Sequence, residues 1–221
     1  MKDNPVATIY EKLLERYGEL GWWPAETPYE VIVGAVLTQN TAWTNVEKAI
    51  ANFEGELSPA RVLETGHEEL AGIIRPAGYF NQKAVYLKTV TEWFERYGFD
   101  VSAARREPPE KLRAELLATK GVGPETADSI LLYAFGLPTF VVDAYTVRLC
   151  GRYPLEADMG YTGNKSYEAV KSYFESRLPR DAGVYSNLHA MIVFNAKDHC
   201  RKKPLCGGCP LGSDCGKVMD R

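Results

Sequence analysis

The chain has 221 residues, 45% hydrophobic and 25% charged, which is enough to bury one large core or two smaller ones. Its formal net charge of −3 does not by itself indicate a nucleic-acid partner, because domains that bind nucleic acids are often strongly basic. The sequence has no run of about 18 apolar residues, which argues against a membrane span. The N-terminal residues lack the apolar core of a signal peptide. We therefore expect a cytoplasmic globular protein with no membrane partner.

Turn residues and apolar spacing predict helices joined by short turns. Thr27-Pro28-Tyr29-Glu30 is typical of a helix start, with Thr27 as the N-cap and Glu30 completing a capping box. Ser58-Pro59 predicts another start of this kind. Further helices are predicted at about 82–97, 109–119, 124–135, 143–152, 166–177 and 184–198. The sequence contains no hairpin-like pair of alternating strands, so the predicted fold class is all-α.

Four of the five cysteines form a C-x5-C-x2-C-x5-C pattern: Cys200, Cys206, Cys209 and Cys215. In a cytoplasmic protein such clustering favours metal ligation over disulfides. Four thiolates suit either a tetrahedral zinc ion or a cubane iron–sulfur cluster, and spacing alone does not distinguish them. From Lys197 to the C-terminus there are six basic and three acidic residues, so this segment could bind phosphate despite the net charge of the chain.

A glycine-containing hairpin is predicted where two helices flank Lys120-Gly121-Val122-Gly123-Pro124. The glycines permit backbone conformations closed to other residues and let the main chain approach another molecule closely. Backbone N–H groups at the start of the second helix then favour an anion. On DNA they would bind a phosphate without reading sequence. An ordinary connection between two helices is the alternative.

The hairpin, Asp143 about twenty residues beyond it and the terminal cysteines occur in an order that resembles the helix–hairpin–helix DNA glycosylases of the endonuclease III type. The resemblance covers nearly the whole chain. It implies two all-α lobes: a helical barrel at 27–133 that contains the hairpin, and a second lobe from 1–26 and 134–221 that contains the cysteine loop. It also implies a 4Fe–4S cluster, with zinc as the alternative, and a monomer acting on double-stranded DNA with a damaged base.

Asp143 matches the catalytic aspartate of this family. On the residues alone it is a helix N-cap, and the two roles are compatible because a carboxylate at a helix N-terminus stays ionised. Family members that cleave the strand carry a lysine in the second hairpin helix, which forms a Schiff base with the sugar. The matching residue here is Glu125, which cannot form an imine. The resemblance therefore implies a monofunctional DNA glycosylase without AP-lyase activity.

The segments 22–24, 37–43 and 123–128 resemble the 3-methyladenine DNA glycosylase branch of the superfamily. The resemblance implies a pocket in which Trp43 and a tryptophan of the N-terminal pair stack on an extruded base. An alkylated purine is cationic and is attracted to the face of an indole. The residues implied for this pocket are Trp22, Trp23, Trp43, Glu125 and Lys197. Packing is the alternative role for the tryptophans, and a phosphate contact is the alternative for Lys197.

Further residues match positions that contact the duplex in this family. Gln39 and Tyr79 match side chains that insert into DNA, with a buried Tyr79 as the alternative. The hairpin residues implied to contact the backbone are Lys120, Gly121, Val122 and Gly123. The three histidines show no metal or triad spacing, and no role is assigned to them: His67, His189 and His199.

The leading prediction is a DNA glycosylase of base excision repair that hydrolyses the glycosidic bond of alkylated purines such as 3-methyladenine. Two alternatives stay open. The first is an endonuclease III-like glycosylase for damaged or mismatched pyrimidines, and the second is a non-catalytic DNA-binding iron–sulfur protein.

Overall fold

The computed structural model describes residues 4–21, 23–155 and 166–216. Throughout these residues the secondary structure is helical and no β-strand is present, so the all-α prediction is confirmed. No helix in the described part of the chain is long and apolar enough to cross a membrane. Trp22, one of the predicted pocket residues, lies outside the described residues.

The elements follow one another with short connections. In chain order they are α1 (Pro5–Tyr17), α2 (Pro28–Leu37), α3 (Trp43–Ala51), α4 (Pro59–Glu64), α5 (His67–Ile73), a 3₁₀-helix (Arg75–Ala77), α6 (Phe80–Glu95), α7 (Val101–Ala104), α8 (Pro109–Ala118), α9 (Pro124–Ser129), a π-helix (Ile130–Ala134), α10 (Ala144–Arg152), α11 (Tyr167–Glu175) and α12 (Ala182–Asp198). These residues form two compact units, one within Trp23–Leu137 and the other within Met1–Trp22 and Pro138–Arg221.

Helix starts follow from the residues that precede each helix. Thr27 Oγ1 accepts a hydrogen bond from the Glu30 amide at 3.1 Å, as its N-cap prediction requires. The reciprocal bond of the predicted capping box is shifted by one residue, because the Glu30 carboxylate accepts from the amide of Glu26 instead of Thr27. Ser58 caps α4 by accepting from the Arg61 amide at 3.2 Å, which confirms the second predicted start.

Helix α2 is the central element of the unit within Trp23–Leu137. Eight of its ten residues are buried, and it packs against α6 and the π-helix. Burial of each large apolar side chain stabilises the fold by about 1.5–3 kcal/mol, so the apolar sequence from Val31 to Leu37 is explained by its central position. This packing places the turn after Leu37 at one end of the unit.

The hairpin helices α8 and α9 are joined by a buried ion pair. The Arg113 guanidinium donates to both carboxylate oxygens of Asp128, with Nε at 2.8 Å and Nη2 at 3.1 Å. The Asp128 side chain is fully buried, so this two-point contact fixes the angle between the helices that flank the hairpin.

The other unit has its own aromatic core. Phe140 stacks on Phe174 with ring centroids 4.6 Å apart and meets Tyr185 edge-on at 5.9 Å. Helices α1 and α10 both pack on α12, the longest helix of this unit among the described residues. Asp143, which precedes α10, is thereby held against α12.

Candidate functional site

Asp143 is the N-cap of α10, as its sequence position predicted. Its Oδ1 atom accepts from the Thr146 amide at 2.7 Å and from the Thr146 hydroxyl at 2.9 Å. Burial raises the pKa of Asp143, but the neighbouring His189 and the two bonds from Thr146 outweigh that effect, so the pKa lies below its ordinary value. The side chain, 11% exposed, is therefore a carboxylate at neutral pH.

His189 is a neighbour of Asp143 that the sequence did not indicate. Its Nε2 atom lies 3.6 Å from Oδ2 of Asp143, somewhat beyond hydrogen-bond length. The imidazole is buried in α12 among residues that are themselves mostly buried. Because this helix shows no strong polar face, nothing in its periodicity singles out His189. The structure thus places an imidazole beside the second carboxylate oxygen of Asp143.

The hairpin is shaped by a glycine that no other residue can replace without movement. Gly121 has φ +88°, and a Cβ at this position would lie 2.1 Å from Cγ of Tyr86. Val122 is buried and its amide donates to the carbonyl of Thr119 at 3.1 Å, so its side chain belongs to the core. Lys120 and Gly123 are exposed and remain accessible to a ligand.

Gln39 and Tyr79 lie in turns of the same unit. The Gln39 amide donates to the Gly121 carbonyl and to the Thr126 hydroxyl, both at 2.9 Å, so in this conformation it is tied to the hairpin. Tyr79 is 69% exposed and has the left-handed φ of +47°. A left-handed conformation is uncommon for a residue other than glycine, and the ring of Tyr79 lies at the surface of this turn. The buried alternative for Tyr79 is therefore wrong.

An aromatic cluster surrounds Gly34 of α2. Trp23 meets Trp43 edge-on at 5.6 Å, and its ring centroid lies 4.9 Å from that of Tyr133. A Cβ on Gly34 would come within 3.2 Å of Trp23 Nε1 and 3.3 Å of Trp43. Glycine thus makes the room in which the two indoles meet. Tyr133 was not predicted, because its apolar surroundings in the sequence indicate only a buried helix.

Trp23 carries two signs of a functional position. Its φ of +78° is left-handed, which is unfavourable for a bulky residue. Its Nε1 atom is buried and has no hydrogen-bond partner among the described residues. A buried donor left unsatisfied costs about 1–3 kcal/mol, so its position favours a site that a polar ligand atom could complete.

The remaining predicted pocket residues are Glu125 and Lys197. Glu125 is exposed in the first turn of α9, where a carboxylate also stabilises the helix dipole. Lys197 is exposed in the last turn of α12, which belongs to the other unit. Glu125 is in the same unit as the aromatic cluster, whereas Lys197 is in the same unit as Asp143.

The four predicted cysteine ligands line one largely apolar cavity at the end of α12, together with Leu149 and Leu211. Burial raises the pKa of the Cys209 thiol, and the other three cysteines raise it further, as expected for sulfur atoms that face one another. In the described part of the chain, no three His, Cys, Asp or Glu side chains are arranged to hold a single metal ion. Four cysteine thiols around one cavity suit a four-thiolate group, either a tetrahedral zinc ion or a cubane cluster in which each thiolate binds a different iron.

Arg152, the last residue of α10, holds the cysteine loop. Arg152 Nη1 lies 3.2 Å from Cys200 Sγ and donates to the Arg201 carbonyl at 2.6 Å, while Nη2 donates to the Lys202 carbonyl at 3.1 Å. These bonds hold Cys200 and the backbone that follows it against α10, so the cysteine loop is fixed to the end of that helix.

Comparison with known proteins identifies the family. Residues 33–180 match the HhH-GPD superfamily of base excision DNA repair proteins. A provisionally named DNA repair glycosylase of Methanocaldococcus jannaschii is 47% identical over 97% of this chain and 99% of its own length. Endonuclease III of Escherichia coli K12 is 30% identical over 86% of this chain and 83% of its own length. The chain belongs to the HhH-GPD superfamily, which confirms the resemblance read from its motifs.

A solved structure extends the likeness to the fold. The 3-methyladenine DNA glycosylase of H. pylori, in a crystal structure bound to 1,N6-ethenoadenine, matches with a TM-score of 0.70 and 26% identity. The match covers 88% of this chain and 96% of that one.

Proposed function

We propose that this protein is a monofunctional DNA glycosylase that releases alkylated purines such as 3-methyladenine from double-stranded DNA. Membership of the superfamily and the likeness to named glycosylases support the enzyme class. The observation that carries the substrate proposal is the pair of indoles, Trp23 and Trp43, that meet over Gly34.

The chemistry follows from the state of Asp143. As the bond between the sugar and the base breaks, its electron pair leaves with the base and positive charge develops on the sugar. The ionised Asp143 stabilises that charge and positions the attacking water, whose oxygen bonds to the sugar and whose proton is released. A base alkylated at N3 carries positive charge before the bond breaks, so it departs as a neutral molecule. The products are a free base and an abasic site.

Water is proposed as the nucleophile because no lysine stands in the second hairpin helix. Glu125 occupies the matching position and cannot form an imine. Lys120, before the hairpin, is exposed and is assigned to a phosphate contact. Lys83 is buried with its ammonium bonded to two main-chain carbonyls, so it does not serve as a substitute nucleophile.

The pocket is proposed to select electron-poor bases. A cationic purine gains from the π-face of an indole, and stacking offsets part of the energy needed to unstack the duplex. Trp43 Nε1 donates to Glu47 at 3.0 Å, and the nearby carboxylate makes the indole a better partner for a cation. Trp22, Glu125 and Lys197 are proposed to complete the pocket.

Contacts with DNA are assigned to exposed positions. Tyr79 is proposed to wedge the strand opposite the lesion and Gln39 to fill the space left by the extruded nucleotide, after leaving its bonds to the hairpin. The hairpin segment 120–123 is proposed to bind a phosphate through its main chain, with Val122 holding the turn through its buried side chain and the bond from its amide to the Thr119 carbonyl.

The cofactor is proposed to be a 4Fe–4S cluster held by Cys200, Cys206, Cys209 and Cys215. When bound, it cross-links a loop that is rich in glycine and charge and has little core of its own. Zinc is the alternative ligand of the same four residues. No redox step is needed for hydrolysis, so the proposed role of the cluster is structural.

A second candidate function is supported by the 30% identity to E. coli endonuclease III. It keeps Asp143 and the hydrolytic step but replaces the substrate with a damaged pyrimidine. The aromatic cluster favours the purine proposal, because two indoles offer more stacking area than a single ring requires.

The test uses three duplexes, carrying 3-methyladenine, a hydrated pyrimidine or a mismatch, with released base identified chemically. Strand breaks are scored before and after alkali. Release of 3-methyladenine, with breaks only after alkali and loss of activity in Asp143→Asn, is the expected result. A matched control is Asp181→Asn, because Asp181 caps α12 through the Val184 amide at 2.9 Å in the same way. Breaks without alkali would refute the inference from Glu125, and release of a pyrimidine would refute the substrate. Unchanged activity in Asp143→Asn would refute its catalytic role, and release of no base from any duplex would favour a non-catalytic DNA-binding protein.

A further inference from the structure

Lys83 is a buried cation that the proposed chemistry does not use. It lies in the first turn of α6 and is 2% exposed. Its Nζ atom donates to the carbonyl of Leu37 at 2.7 Å and to that of Ala77 at 2.9 Å. Leu37 ends α2 and Ala77 ends the 3₁₀-helix. Carbonyls at a helix C-terminus lack an intrahelical donor and carry partial negative charge, so one ammonium stabilises two helix ends together.

The two carbonyls stand immediately before the turns that contain the proposed inserting side chains. Gln39 follows Leu37 by two residues, and Tyr79 follows Ala77 by two residues. A tether of two residues leaves little freedom between the anchored carbonyl and the side chain. The anchor is also bonded to the second turn through its main chain, because the Lys83 amide donates to the Tyr79 carbonyl at 2.9 Å.

The turn that contains Tyr79 needs such an anchor. Gly78 and Tyr79 are both left-handed, with φ of +68° and +47°. Tyrosine adopts this conformation only where the surrounding structure holds it there. The Lys83 side chain holds the Ala77 carbonyl immediately before the strained pair, whereas the bond from the Lys83 amide to the Tyr79 carbonyl is a main-chain bond of α6 that does not depend on the side chain.

We propose that Lys83 is a positioning residue that ties the turn after α2 to the turn after the 3₁₀-helix, so that Gln39 and Tyr79 are presented to the duplex in a fixed geometry. The proposal rests on the proposed function, because it requires that these two side chains insert into DNA. Lys83 itself touches neither the DNA nor the reacting atoms.

Simple space filling does not account for a lysine at this position. Burial lowers the pKa of Lys83 to about 8, which shows that the fold disfavours the charged form. Methionine would fill a similar volume without desolvating an amine. The lysine ammonium has three donors, so it can bond two carbonyls from separate turns at the same time.

The experiment reads insertion without depending on which base is excised. The probe is a duplex with a tetrahydrofuran abasic analogue opposite 2-aminopurine, whose fluorescence rises when a side chain unstacks it. Affinity for this duplex is compared with affinity for the single strand that carries the analogue. The variants are Lys83→Met, Tyr79→Ala, their combination, and Lys88→Met as the matched control. Lys88 lies on the same helix and donates to the Leu63 carbonyl at 2.9 Å, away from both turns.

We expect Lys83→Met to bind the duplex about tenfold more weakly and to lose the fluorescence rise, while binding the single strand as the wild type does. Lys88→Met should retain both properties. The combined variant should lose less affinity than the sum of the two single losses, because Lys83 acts in part through Tyr79 and in part through Gln39. If Lys83→Met does not fold, as judged by circular dichroism, Lys83→Gln replaces it, because a glutamine amide can still reach one carbonyl.

Three other outcomes would overturn the proposal. Retained duplex affinity and fluorescence in Lys83→Met would show that Lys83 does not position the turns. An equal loss on duplex and single strand would show a general structural role. If the wild type gives no fluorescence rise, the proposed insertion of Gln39 and Tyr79 is wrong. The positioning role of Lys83 then fails as well, because it depends on that insertion.

Discussion

Two features of the structure disfavour a side chain at Gly121 of the hairpin. Its φ of +88° is left-handed, and the ring of Tyr86 fills the space in which a Cβ would stand. Replacing Gly121 with alanine therefore adds a conformational cost to a steric one. The hairpin is the segment proposed to bind a DNA phosphate, so its rigidity bears directly on function.

The magnitude can be worked from these two terms. A left-handed conformation costs an L-residue about 1–2 kcal/mol. The new Cβ would lie 2.1, 2.2 and 2.6 Å from Cγ, Cδ1 and Cδ2 of Tyr86, so the ring or the hairpin must move. Overpacking of this kind costs about 1–3 kcal/mol. Together these two costs predict that Gly121→Ala lowers the free energy of unfolding by about 2–5 kcal/mol. For a chain of this size that corresponds to a fall in Tm of roughly 6–15 °C.

Calorimetry on matched variants tests the reasoning. Gly123→Ala is the control, because Gly123 has φ −90° and no atom lies within 4 Å of its added Cβ. It should cost less than about 1 kcal/mol, mainly from a weaker N-cap. Combining Gly121→Ala with Tyr86→Ala should be less damaging than the sum of the single changes, because the second change removes the ring that the first one strikes.

Equal Tm values for Gly121→Ala and Gly123→Ala would refute the steric argument. If the stability losses of Gly121→Ala and Tyr86→Ala are additive, the clash with the Tyr86 ring is refuted. The left-handed backbone conformation would then be the whole cost of Gly121→Ala.

Other predictions concern the buried charges and the cysteine loop. Asp128→Asn removes the charge partner of Arg113 and should lower the free energy of unfolding in urea by about 3 kcal/mol, whereas a loss near zero would show that the pair is dispensable. The folded pKa of Asp143 lies below 3.8, so its charge stabilises the fold above about pH 4 and that contribution is lost as the pH falls through the folded value. Wild type should therefore exceed Asp143→Asn in stability at pH 7 and converge with it in acid; a gap that persists in acid would contradict this. Cys209→Ser should lose bound iron and the absorbance near about 400 nm, and retained absorbance would exclude Cys209 as a ligand.

Much of the fold could be predicted because its signals are local. Thr27 and Ser58 were identified as N-caps, since a hydroxyl before a proline restricts the backbone within a few residues. The predicted helix at 124–135 is present, but its second half is the π-helix Ile130–Ala134. A π-helix differs from an α-helix by one residue per hydrogen-bonded turn, and apolar periodicity over five residues cannot distinguish the two.

The least predictable features depend on distant packing. His189 reaches Asp143 from 46 positions further along the chain, and Lys83 joins two turns that are 40 residues apart. His189 is a polar residue in a largely apolar helix, and Lys83 is one of several polar residues in α6, so the sequence singles out neither. The cysteines are the opposite case: their spacing predicts that they lie together, and the structure places all four around one cavity.

One short helix joins the Asp143 carboxylate to the cysteine loop. Helix α10 starts immediately after Asp143 and ends at Arg152, whose guanidinium contacts Cys200 and the carbonyls that follow it. Nine residues span about 13 Å, which is too short to absorb a displacement by bending. A displacement of the cysteine loop would therefore reach the carboxylate as a rigid shift, so the order of that loop sets the position of Asp143.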